Sequence, residues 1–154
     1  MFVNGIPFDT CHHEELFYFT IFAINPVMKK KQEQNPKLLG ETIIDCIKEK
    51  KGLKIVRIDL TKTDNSVCDF FIITHADSTT QVRAIGKHIE DNLKAKNGIR
   101  AFHSEGYENS QWVLLGYSNI LVHVFLDSIR DHYKLEELWA DAEIEIITEP
   151  EADF

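Results

Sequence analysis

The side chains with acid–base or nucleophilic potential are Asp59, Asp69, His75, Asp77, His103, Glu105 and His123, with Cys11, Cys46, Cys68 and the pair His12-His13. General acid–base chemistry needs such groups converging on one substrate atom, and a nucleophile needs a base beside it. None of these residues stands in a motif that enforces either arrangement. His123 lies in Leu121-Val122-His123-Val124-Phe125, where a lone imidazole in an apolar strand serves as hydrogen-bonded core or as interface. Asp69 heads another apolar run and suits a hydrogen bond to a neighbouring turn or helix start. Nucleophile-elbow GxSxG, dinucleotide GxGxxG and Walker motifs are absent from the sequence. Cys11-His12-His13 supplies only part of the three or four ligands that a metal needs. The three cysteines form neither a CxxC spacing nor an even set, and Cys46 falls on an apolar helical stripe. No catalytic residue, metal or cofactor is expected.

A different class of residue is concentrated instead. Trp112, Tyr117, Tyr133 and Trp139 fall close together, beside Glu136, Glu137 and Asp141. Large amphipathic rings inside a polar rim are what protein interfaces use as anchors; any one of them alone is better read as core, but the four together favour at least one exposed anchor. A net charge of -8 excludes affinity built on neutralising nucleic-acid phosphates. It suits a basic protein partner, or simply solubility. The apolar run 16–24 follows Glu14 and Glu15 rather than a basic segment, and no run reaches the roughly 18 apolar residues of a membrane span. A cytoplasmic protein without membrane contact is expected.

At 154 residues the chain fits one domain with its own core. Asn35-Pro36 reads as an N-cap with proline at the first helical position, and Leu39, Ile43, Cys46 and Ile47 recur at helical spacing up to Gly52. Residues 53–60 alternate as a strand, and 67–74, with Phe70-Phe71-Ile72-Ile73, read as a central strand covered on both faces. Ser78-Thr79-Thr80-Gln81 has the form of a capping box, and Val82, Ile85, Ile89 and Leu93 form the buried stripe of a second helix closed by Asn97-Gly98. Short strands follow at 99–104, 111–115 and 120–125, the last two joined about Gly116-Tyr117-Ser118-Asn119, and Asp127 can cap a final helix through Tyr133. The order α-β-β-α-β-β-β-α predicts an α/β (α+β) fold, a mixed sheet of about five strands flanked by helices.

Read together, Cys68-Asp69-Phe70-Phe71-Ile72-Ile73, Ser78 with Gln81-Val82-Arg83-Ala84-Ile85, Glu105-Gly106-Tyr107, Trp112-Val113-Leu114-Leu115, Val122-His123-Val124-Phe125, Arg130 and the stretch Tyr133-Lys134-Leu135-Glu136-Glu137-Leu138-Trp139-Ala140-Asp141-Ala142 resemble the ribosomal silencing factor RsfS, or Iojap, family. The resemblance runs from about Leu38 to Ala142 in one unbroken order. It implies a nucleotidyltransferase-like fold and a non-enzymatic factor. Such a factor binds the large ribosomal subunit through ribosomal protein fourteen, blocks joining of the small subunit and represses translation under nutrient limitation.

Carried over by position, the resemblance makes Trp112 the leading interface residue, with Tyr133 and Trp139 matching the C-terminal motif and His123 matching the family histidine. Leu114 shares a strand face with Trp112 by the two-residue period, and Glu136, with Glu137, would guide approach to a basic partner. Little direct contact with nucleic acid is expected, and a homodimer through the same patch is the expected form when the partner is absent. The domain boundaries expected are an N-terminal extension over 1–35, with Met28 a candidate start, a silencing-factor domain over 36–143 and an acidic tail over 144–154. The sequence departs from the family pattern at His75-Ala76-Asp77-Ser78, where Thr-Gly-Thr-Ser is common, at Thr80, and at Leu115-Gly116-Tyr117-Ser118-Asn119, where two acidic positions are lost. The alternative reading is a divergent nucleotidyltransferase-fold protein that binds or acts on nucleotides. That chemistry would need paired strand acids and a glycine loop, and Asp59 and Ala76-Asp77-Ser78 do not supply them.

Overall fold

The computed structural model describes residues 35–64 and 66–147, together with two short strands, β1 (Phe2–Val3) and β2 (Ile6–Pro7), that pair antiparallel. Cys11-His12-His13, the candidate start at Met28, most of the expected extension and residues 148–154 of the expected tail lie outside the described residues.

Local signals set the two long helices. In α1 (Pro36–Glu49) the Asn35 side chain accepts from the Lys37 N–H at 3.0 Å, and Leu39, Ile43, Cys46 and Ile47 are buried. In α2 (Thr79–Asn97) the Ser78 hydroxyl accepts from the Gln81 N–H at 3.2 Å, and Gly98 closes the helix in the left-handed conformation. Only half of the expected capping box forms. The Gln81 amide donates to the carbonyls of Lys50 and Lys51 instead, tying the end of α1 to the start of α2.

The strands are β3 (Leu53–Asp59), β4 (Phe70–Ala76), β5 (His103–Glu105), β6 (Trp112–Tyr117), β7 (Ile120–Leu126) and β8 (Glu143–Ile147), and two short helices, α3 (Asp127–Tyr133) and α4 (Leu135–Leu138), precede the last strand. They form one mixed sheet of six strands in the order β5-β6-β7-β4-β3-β8. Only the pair β4 and β7 is parallel. The sixth strand is β8, which pairs with β3 and draws residues 144–147 of the expected tail into the sheet. Its Glu-Ile-Glu-Ile-Ile pattern has the two-residue period of a strand, but its net charge gives it the look of a solvated tail.

Alternation along the strands divides the core. Ile72, Val113, Leu115, Tyr117, Val122 and Val124 face α1 and α2. Val56, Ile58, Phe71, Ile73, Leu114, Leu121 and Phe125 form the opposite face, against which Trp112, Tyr133, Leu135 and Trp139 pack. One face thus lies under two long helices. Among the described residues, the other is roofed mainly by the short C-terminal elements.

Candidate functional site

The site is built on this second face. β6 and β7 run antiparallel with Trp112 opposite Phe125 and Leu114 opposite His123. Period-two geometry places Trp112 and Leu114 on one side of β6, as expected. The Trp112 ring is half-buried, stacks on Phe125 at 4.9 Å between centroids and lies 5.1 Å from the Tyr133 ring. Its Nε1–H donates to His123 Nδ1 at 3.2 Å. That bond requires an unprotonated Nδ1, and burial pushes the fully buried imidazole down to about 3. His123 is therefore a neutral acceptor that orients the indole. It is also edge-on to Phe71 at 5.0 Å, and Phe71 is edge-on to Trp139 at 5.5 Å. Five ring systems and one imidazole thus form a continuous cluster.

The expected residues divide by role. Trp112, Tyr133 and Trp139 are half-buried and line this cluster, whereas Leu114, 5% exposed, and His123 lie beneath it. Glu136 differs from expectation: its carboxylate takes Nε of Arg130 at 2.9 Å and is also bonded by the second terminal nitrogen of that guanidinium. It is a scaffold group, while Glu137, 75% exposed in its side chain, is the acidic group facing solvent. Tyr117, read with the aromatic anchors, is wholly buried on the α1–α2 face. Asp127 forms no side-chain cap; α3 begins at it and its carboxylate lies 3.3 Å from Nε2 of His75.

Sequence reasoning did not single out the exposed apolar residues Leu138, Ile144 and Ile146, the last 70% exposed. Ile144 and Ile146 sit opposite Ile58 and Val56 on β3 and so extend the same face. The departures from the family pattern have local reasons. Gly116 admits the Phe102 ring, which a Cβ would meet at 2.6 Å. Ser118 takes a positive φ in the two-residue turn between β6 and β7. Asn119 donates its side-chain amide to Asp69 at 2.8 Å while its carbonyl accepts from the Asp69 N–H. Asp69 thus bonds a neighbouring turn, as expected of it.

The cluster presents apolar surface and oriented rings, a geometry suited to binding a protein surface. A family model described as ribosomal silencing factor during starvation, RsfS, matches residues 32–153. The chain is 35% identical to the ribosomal silencing factor RsfS of Halalkalibacterium halodurans over 108 residues, 70% of this chain and 90% of that one. It is 36% identical to the chloroplastic protein Iojap of Arabidopsis thaliana over 73 residues, 47% of this chain and 30% of that one. A crystal structure of a Chromobacterium violaceum protein superposes with a TM-score of 0.66 at 28% identity, covering 77% of this chain and 98% of that one. With the family model, the relatives and the fold in agreement, the chain belongs to the ribosomal silencing factor (RsfS) family.

Proposed function

We propose that this chain represses translation by binding the large ribosomal subunit through ribosomal protein fourteen, where its bulk keeps the small subunit from joining. No bond is made or broken in this mechanism. The observation that carries it is the preorganised Trp112, half-buried against Phe125 and Tyr133 and aimed by its bond to His123. A ring already held in place loses little conformational entropy when a partner covers it, which is what an interface anchor requires. Leu138, Ile144 and Ile146 add apolar area at its margin, and Glu137 steers approach to a basic partner. Without the ribosome the same apolar face would pair with a second copy.

Binding is favoured over nucleotide chemistry by what occupies the carboxyl ends of the parallel strands β4 and β7, where open α/β sheets receive nucleotides. The Arg130 guanidinium fills that position, bonded to His75 at 2.9 Å and to the Lys54 carbonyl at 2.7 Å. Co-sedimentation with separated subunits tests the reading. The chain is expected to travel with the large subunit and to lower the yield of joined ribosomes. Travel with neither, or with the small subunit alone, rejects it, and calorimetric binding of a magnesium nucleotide would favour the alternative.

A further inference from the structure

Arg130 lies on α3 with 9% of its surface exposed, and its guanidinium joins four elements. One terminal nitrogen donates to the Lys54 carbonyl on β3 at 2.7 Å and to His75 Nδ1 on β4 at 2.9 Å. Nε donates to Glu136 on α4 at 2.9 Å, and the second terminal nitrogen reaches the same carboxylate oxygen. Besides this fork, α4 is held by the backbone bonds of its own turn and by the packing of Leu135 and the flanking rings. It is a four-residue turn, enters from Lys134 in the left-handed conformation and has no side-chain cap; Leu135 is its buried residue. Two residues before it stands Tyr133, whose ring meets Trp112, and immediately after it Trp139, whose ring meets Phe71.

We propose that Arg130 is the positioning residue of the docking face: its fork to Glu136, Lys54 and His75 holds α4, and with it Tyr133 and Trp139, in the arrangement that receives the partner. This rests on the reading of that face as the docking surface. A planar guanidinium spreads five donors over three nitrogens in a fixed fork and so spans acceptors on three elements, whereas an ammonium offers its three donors from a single point.

The fork also specifies a protonation state. Arginine only donates, so Nδ1 of His75 must be bare, and the ring proton sits on Nε2 facing Asp127 at 3.3 Å. A second proton on Nδ1 would point at a donor. The charged groups around the ring are Arg130 and Asp127 on α3, Lys54 on β3 and Asp77 beyond β4, with Glu136 on α4 held through Arg130. Burial first, then Arg130, moves His75 below the usual histidine range despite the opposing pull of Asp127 and Asp77. The fork is therefore intact above the ordinary histidine value of about 6.5 and is lost as pH falls below it through the folded value.

The test pairs binding to separated large ribosomal subunits with the indole N–H signals of the free protein in nuclear magnetic resonance. Arg130→Lys and Glu136→Gln, each verified as folded, should weaken binding by roughly tenfold or more and shift the Trp139 indole signal. Wild-type binding should hold above about pH 6.5 and weaken as pH falls below it through the lowered folded value of His75. His75→Asn keeps an acceptor near the Nδ1 position and does not titrate, so whatever its affinity at the higher pH, it should lose the acid weakening. Folded Arg130→Lys with wild-type affinity and unmoved indole signals would overturn the assignment, as would an unchanged pH profile in His75→Asn. If the wild type binds no large subunit at either pH, the docking reading fails, while the indole signals of the free variants still decide whether Arg130 positions the face.

Discussion

Trp112 is the residue on which the proposed binding rests, and its neighbours determine how it can be tested. Removing the ring in Trp112→Ala should weaken association with large subunits by about 2 kcal/mol or more, as for a hot-spot anchor. Titration of affinity against the folded variant, verified by circular dichroism, measures this, and wild-type affinity would remove Trp112 from the interface. His123 beneath it makes a second prediction. Because burial drives its value to about 3, its ring resonances should stay those of a neutral imidazole throughout the range in which ordinary histidines titrate, near 6.5. A midpoint near 6 would mean that the Trp112 donor bond does not hold in solution. The sequence identified Trp112, Tyr133 and Trp139 through residue type and family position. It could not distinguish Glu136 from Glu137, because what separates them is Arg130, whose packing depends on three other elements.

At the scale of elements, the start of β6 is set by a backbone contact. Gly106 has φ +93°, and a Cβ there would lie 1.8 Å from the Trp112 carbonyl oxygen. Gly106→Ala should therefore move the β6 entry as well as strain the turn, costing about 2 kcal/mol or more. Chemical denaturation and the Trp112 indole signal measure the two effects; a variant unchanged in both would show that the loop relaxes without moving the strand. The Ser78 cap is a plainer case, and Ser78→Ala should cost about 1 kcal/mol in the same denaturation measurement. The helices were legible because caps and stripes are local: Asn35, Ser78 and Gly98 act within a few residues of themselves. Asp127 was misread as a cap for a related reason. A carboxylate at a helix start suits capping by sequence, yet here His75 from another strand engages it.

For the whole molecule, β8 carries the sheet past the expected boundary at 143. It covers the β3 edge through five register pairs, and Glu145 with Glu41 holds Arg57 across the α1 side of the sheet. A chain ending at Ala142 would expose that edge and should lose on the order of 3 kcal/mol, from backbone bonds worth about 1 kcal/mol each less the entropy of ordering the strand. A urea midpoint matching the full chain would place the boundary at 143 after all. Two buried neutral histidines add a global acid sensitivity. His75 and His123 both sit below their unfolded values, so stability is fully present above about pH 6.5 and falls as pH drops below it. Thermal melts across that range should decline from their plateau, and a flat profile down to about pH 4 would contradict the burial of both rings.

What the sequence determined by itself was the elements from α1 to α3 and their order, the two long helices with their caps, and a family position for the aromatic residues. Each of these is written in short-range spacing or in a run of residues that stays in order. Only the tertiary structure decided that Glu-Ile-Glu-Ile-Ile at 143–147 is an edge strand rather than a tail, that Tyr117 turns to the far face, and that Arg130 gathers Lys54, His75 and Glu136 beside the aromatic face. Those outcomes depend on which strand lies beside which and on the acceptors a buried guanidinium finds. Partners distant in the chain settle them, and no local pattern encodes partners at that distance.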